Sequence, residues 1–368
     1  MLRPNMILIV LLLGMMPLSL QAQSLPPLIL WVRGDLYMVW DLNASPVQLT
    51  QNGTISGPAL SPDGNMIAYK AASPVGLQAL DRVQTSGFIA NFDLPGDIYV
   101  LNIPMLQPAL VAEQPDDASL FVEGVPDNAI VRSTPAWSPD STMLAWTELS
   151  FGSESPRLVI FDFATRIQTI AADALPVEIV SGSAPEVRWG ASGIAIIGDA
   201  GELLIYSPDG TLLSRPQLAP AEDETAQEYA WVNAAGLSLF GVLYDSGRWS
   251  LFDPTTGAEQ QTEDIPLLVG ASENSLALRF GTLPDVGFFW ETNEPSGETT
   301  ASGAFPAPPS RVTLSPSGRE VAFIGYPDFG GVAVWRSGEV IPVPGTGSDS
   351  LAAGAVLWGA TMWRIDVD

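Results

Sequence analysis

The chain has 368 residues, with 41 acidic side chains against 15 basic ones and a net charge of -26, a balance that repels nucleic acid and anionic membrane surfaces. It contains neither cysteine nor histidine, which removes disulfides, thiolate and imidazole metal sites, and Ser-His-Asp or Cys-His catalysis. What remains open to an enzyme is a carboxylate pair, a metal held by oxygen ligands, or a tyrosine or arginine electrophile.

In chain order, residues 1–22 come first. A short positive start at Arg3, an apolar run from Met6 to Leu20 and small residues around Ala22 predict a secretory signal peptide. A retained anchor is the second reading, although Gly14 and Pro17 interrupt the run and it is short of the roughly 20 residues that span a bilayer. Export without disulfides suits a bacterial periplasmic, cell-surface or secreted protein. Residues 23–368 then read as one domain.

Leu28–Val32, Asp35–Trp40 and Val47–Thr50 read as three strands of a first sheet that lacks its innermost member. A phrase then recurs: Pro58 to Tyr69, Pro135 to Trp146 and Val312 to Phe323 each read as strand, tight turn, strand. In the turn Ser-Pro-Asp-Gly, proline presets the first position, aspartate bonds backbone N–H groups and glycine accepts a positive φ. A hairpin returning through an all-strand chain predicts a β-propeller of four-stranded antiparallel blades. The blades are expected at Leu28–Thr50, Gly57–Ala112, Thr134–Ala171, Ala184–Pro216, Tyr229–Gln261, Leu267–Phe305 and Arg311–Pro344, seven in all, with six or eight left open. Val356 to Ile365 repeats the opening hairpin, and its strands are expected to complete the first blade and close the ring. A long loop insertion is expected at 71–96. A Gly-, Ser-, Thr- and Pro-rich stretch at 292–310 reads as flexible.

These hairpins, with the Asp-Leu-Tyr third strand at Asp35 to Tyr37, resemble the TolB-like propeller repeat, a WD-like family. The resemblance covers most of the chain after residue 22 and concerns the propeller part only. It implies an exported binding scaffold, or the non-catalytic propeller half of a peptidase.

The function is sought at the long loops. In an up-and-down blade, the second-to-third loops and the connections between blades share one face, and here those segments are long while the opposite turns are short. Long loops carry function on a rigid frame. The candidate partner-binding residues are Asp81, Phe88, Phe92, Asp93, Asp116, Asp117, Phe121, Glu123 and Phe151. The acidic loops invite calcium, yet none has the alternating spacing of a dedicated calcium loop, so a solvated rim is the plainer reading. The tryptophans recur at equivalent strand positions, which points to packing between blades rather than to a sugar platform. The leading expectation is a monomeric, non-enzymatic propeller that binds a protein or peptide and needs no cofactor. The alternative is a glycan-binding or carboxylate-dependent glycan-active propeller, with calcium as a possible helper.

Overall fold

A computed structural model describes residues 28–86, 93–153, 155–179, 182–198, 201–218, 224–234, 237–244, 249–260, 268–271, 277–283, 287–293, 299–315, 319–358 and 363–364. The expected signal peptide lies outside these residues, as does the turn at 316–318 of the third recurrent hairpin. Among the described residues the strands form seven antiparallel sheets, most of them four-stranded and up-and-down in sequence order. The chain is a β-propeller, nearly all-β.

The second sheet illustrates the plan. Ile55–Leu60, Met66–Ala72, Gly96–Asn102 and Gln107–Ala112 follow one another outward. Met66–Ala72 is buried along nearly its whole length, while most of Gln107–Ala112 is exposed. That gradient explains the near-continuous apolar runs of the second and third strands, which are covered on both faces by neighbouring sheets, while the fourth strands lie exposed at the rim and keep apolar side chains such as Leu110 and Ile170. In the third sheet the innermost strand is split into Ile130–Arg132 and Ala136–Trp137, both paired with Met143–Ser150.

The apolar core is divided into seams. One cluster joins Met38 of the first sheet to Ile67 and Tyr69 of the second. Others join Val100 to Trp146, Ile160 to Ile196, and Ile205 to Phe240, each across two consecutive sheets. A further cluster sets Leu28 and Leu30 of the first sheet against Ile324 and Val334 of the seventh.

Three tryptophans pin neighbouring sheets together. The indole N–H of Trp31 donates to the carbonyl of Ile55 at 2.8 Å, that of Trp137 to Ala59 at 2.9 Å, and that of Trp231 to Arg188 at 3.0 Å. In each case the ring packs at the seam while its polar edge satisfies a strand carbonyl of the adjacent sheet. Trp40 departs from this pattern. Expected in a packed strand, it lies just beyond Asp35–Val39 and is 60% exposed.

The recurrent turns are organised by their buried serines. Ser61 Oγ donates to Asp63 Oδ1 at 2.6 Å and accepts the Met66 N–H at 2.9 Å. Ser138 repeats this with Asp140 at 2.6 Å and Met143 at 2.9 Å. The Asp63 N–H in turn donates to Ser141 Oγ of the next sheet at 3.0 Å. Partial burial works to raise the Asp63 carboxyl, but hydrogen bonds from Ser61, Asn65 and Ser141 outweigh it and hold the group below the usual carboxylate range.

Three segments differ from the sequence expectation. Within 71–96 lies a helix, α1 (Pro74–Ser86). The stretch 292–310 contains the strand Thr299–Ala304, paired with Gly287–Asn293 as the rim of the sixth sheet. The closing hairpin divides: Ala355–Leu357 pairs with Leu28–Val32, whereas Trp363–Arg364 pairs with Arg311–Leu314 of the seventh sheet.

Candidate functional site

The strand order puts the second-to-third loops and the links between sheets at one end of the molecule. Three structures are built there. The first is a buried charge cluster between the second and third sheets. Glu148, with its side chain 1% exposed, accepts from Arg132 Nε at 2.8 Å and Trp146 Nε1 at 3.1 Å through Oε1. Its Oε2 accepts from Arg157 Nε at 2.9 Å and Nη2 at 2.7 Å. Arg132 also donates to the carbonyls of Gly96 at 2.7 Å and Glu113 at 2.9 Å, and Lys70 Nζ donates to the Arg132 carbonyl at 2.9 Å. Burial alone would raise the Glu148 carboxyl, yet the Arg132 charge and the bonds from Trp146, Arg132 and Arg157 hold it below its ordinary value. Asp97, beside Arg132 at 3.8 Å, goes the other way, since desolvation outweighs its Gln114 N–H bond and the Arg132 charge. These groups spend their bonding capacity on one another and on loop carbonyls, so the cluster fixes the loop ends.

The second structure is a small cap. Ser73 caps α1, its Oγ accepting the Gly76 N–H at 3.3 Å and donating to the Pro95 carbonyl at 2.8 Å, with Pro74 at the first helical position. Ala79 is buried with Leu120 and Ala129, and Val75 and Phe151 pack around them. Several expected partner-binding residues meet here. Asp81 lies on the exposed side of α1, Asp116, Asp117 and Glu123 are exposed on the connection above it, and Phe121 meets Phe151 edge-on at 6.1 Å. Asp93 is set apart, paired with Lys70 at 3.3 Å. Phe88 and Phe92 lie outside the described residues.

The third structure was not anticipated: a cleft of about 500 Å³ between the fourth and fifth sheets. Its walls include Glu202 from the second-to-third loop of the fourth sheet, Arg215 and Glu224 from the connection to the fifth, and Tyr229 and Tyr244 from the first two strands of the fifth. Glu202 Oε1 accepts the Glu178 N–H at 2.9 Å, which holds the side chain down, while its Oε2 is buried with no hydrogen-bond partner. Burial, then the charges of Glu186 and Tyr244, push the Tyr229 phenol up to about 12. Tyr229 therefore stays protonated and is a hydrogen-bond donor rather than a base at neutral pH. The cleft joins acceptor carboxylates, a guanidinium donor and phenol rings in one concave site of small-molecule size. Among the described residues no group of three or more acidic side chains is placed to hold a metal ion, and no helix is long and apolar enough to cross a membrane.

No protein-family model matches the chain, and no curated protein matches it. Among solved structures it is similar to an oligogalacturonate lyase in complex with manganese, at 16% identity and a TM-score of 0.48, over 84% of this chain and 83% of that one. It is similar to oligogalacturonate lyase from Vibrio parahaemolyticus, at 12% identity and a TM-score of 0.48, over 78% and 79% of the two chains. TolB from Acinetobacter baumannii matches at 12% identity and a TM-score of 0.42, over 90% of this chain and 66% of that one. Likeness at this level concerns the fold. As a correction to the expectation of a non-enzymatic chain, two of these matches, similar in fold, are lyases.

Proposed function

We propose that the cleft between the fourth and fifth sheets is a saccharide site and that the chain is a glycan-binding propeller, with Glu202 and Glu224 as the carboxylates of its wall. The observation that carries this reading is the meeting of two carboxylates, Arg215, Tyr229 and Tyr244 around about 500 Å³. Sugar hydroxyls donate to carboxylates and accept from guanidinium and phenol groups; the rings of Tyr229 and Tyr244 themselves belong to the core seam, which holds them in place. The net charge of -26 favours a neutral or amino sugar over a polyuronate.

The same reading includes a seven-bladed ring closed by Ala355–Leu357 beside Leu28–Val32, a TolB-like repeat, and a monomer exported through residues 1–22. The seam between the first and seventh sheets supports the closed ring.

The test is calorimetry with a panel of neutral, amino and acidic oligosaccharides, alongside an assay for new reducing ends. A neutral or amino saccharide is expected to bind, at least about tenfold more weakly in Tyr229→Phe and Glu224→Gln, a loss of about 1.4 kcal/mol or more. No binding across the panel, or binding that ignores both substitutions, overturns the assignment.

A further inference from the structure

We propose that the cap formed by α1 and residues 113–129 is a docking site for a cationic peptide segment of another protein, one that carries an aromatic or aliphatic anchor. The argument begins with Phe121. It is 44% exposed and its backbone sits at φ +58, a left-handed conformation that a bulky residue rarely adopts.

The surrounding loop enforces that conformation. The Phe121 N–H donates to Asp127 Oδ1 at 2.7 Å, the Ser119 N–H to Asn128 Oδ1 at 2.7 Å, and the Val125 N–H to the Val122 carbonyl at 3.1 Å. From below, Arg82 Nη1 donates to the Leu120 carbonyl at 2.9 Å, and Phe151 supports the ring edge-on. The loop therefore offers its aromatic side chain in a fixed position. Val125 on the same loop is 47% exposed and Leu77 on α1 is 43% exposed. A rigid aromatic with aliphatic companions is the composition of an anchor site at an interface.

Charge selects the occupant. Asp81, Glu113, Asp116, Asp117, Glu123 and Asp127 lie on these two segments, and Arg82, tied to the Leu120 carbonyl, is the basic residue they contain. Such a surface repels a second copy of a chain carrying -26 and attracts lysine and arginine, so the fit is to a basic segment whose apolar side chain meets Phe121.

The experiment uses the full chain and a fluorescent amphipathic peptide of alternating lysine and leucine with one tryptophan, followed by polarisation. A glutamate-for-lysine version is the control. Phe121→Gly accepts the positive φ and removes the ring; the triple variant D116N/D117N/E123Q removes charge and leaves Phe121 in place. Both are checked for an unchanged thermal transition. Binding is expected to weaken at least fivefold in Phe121→Gly, and in the triple variant to weaken and lose part of its salt dependence. The cleft substitutions Tyr229→Phe and Glu224→Gln are expected to leave it unchanged.

Equal binding by Phe121→Gly and the parent chain overturns the proposal, because attraction to an acidic surface would then be all that is present. Binding of the glutamate peptide overturns it too, as does a parent dimer that dissociates in Phe121→Gly, which would make a second copy the occupant.

Discussion

Replacing Arg132 with methionine tests whether the buried charge cluster holds the loop ends. The guanidinium side chain is 2% exposed and that of its partner Glu148 is 1% exposed. Removal leaves Glu148 with Arg157 and Trp146, leaves the Gly96 carbonyl with Gln114 Nε2 at 3.1 Å, and takes the 2.9 Å donor from the Glu113 carbonyl. A buried charge left wholly unpaired costs about 3–5 kcal/mol; because Arg157 still holds Glu148 through two bonds, the cost is about 2–3 kcal/mol. For a chain this large, at about 2 °C per kcal/mol, the unfolding midpoint at neutral pH falls by roughly 4–6 °C.

The pH dependence has a definite sign. The folded Glu148 carboxyl lies below its unfolded value, so its contribution is present above about pH 4.3 and is lost as pH falls through the folded value. Thermal scans followed by circular dichroism at neutral pH and below pH 4 should show a gap between parent and variant that narrows in acid. In the double variant R132M/E148L, apolar packing replaces the pair and part of the loss returns, offset by the buried Trp146 N–H that loses its acceptor. A single variant within about 1 kcal/mol of the parent, or a gap that widens in acid, refutes the reasoning.

Two other outcomes follow from packing. Trp137→Phe keeps an aromatic ring but loses part of the buried indole volume and leaves the Ala59 carbonyl without its 2.9 Å donor; a loss of about 1–3 kcal/mol is expected in urea unfolding. Gly303→Ala places a methyl 2.6 Å from Trp290 Nε1 and 2.7 Å from Trp335 Nε1, where the two rings meet edge-on at 4.5 Å; a loss of about 1–3 kcal/mol from overpacking is expected, visible as altered tryptophan fluorescence together with a lower midpoint.

The blades were legible because their signal is local. Ser61 and Asp63, or Ser138 and Asp140, sit two residues apart and bond to each other, so turn chemistry reads directly off the chain. Helix α1 was missed although Ser73-Pro74 is a helix-start signal. Its buried face is short, centred on Ala79 with Val75 beside it, and a helical period needs more turns to stand out. Trp40 shows the opposite error, since recurrence at an equivalent position does not guarantee a neighbour to pack against. The cleft left no trace in the sequence because Glu202, Arg215, Glu224 and Tyr244 come together only through the stacking of two sheets. The Arg132–Glu148 pair is hidden differently: it forms within the third sheet, where strand pairing sets residues sixteen apart opposite each other, and no local spacing marks that register.

The division of the core into seams bears on how damage spreads. Because each of these four seam clusters belongs to two consecutive sheets, a cavity opened in one seam loosens the pair that shares it and is felt elsewhere only through intervening contacts. Loops and rim strands can therefore diversify sheet by sheet, each change answerable to its two neighbours, while the rest of the propeller keeps its geometry.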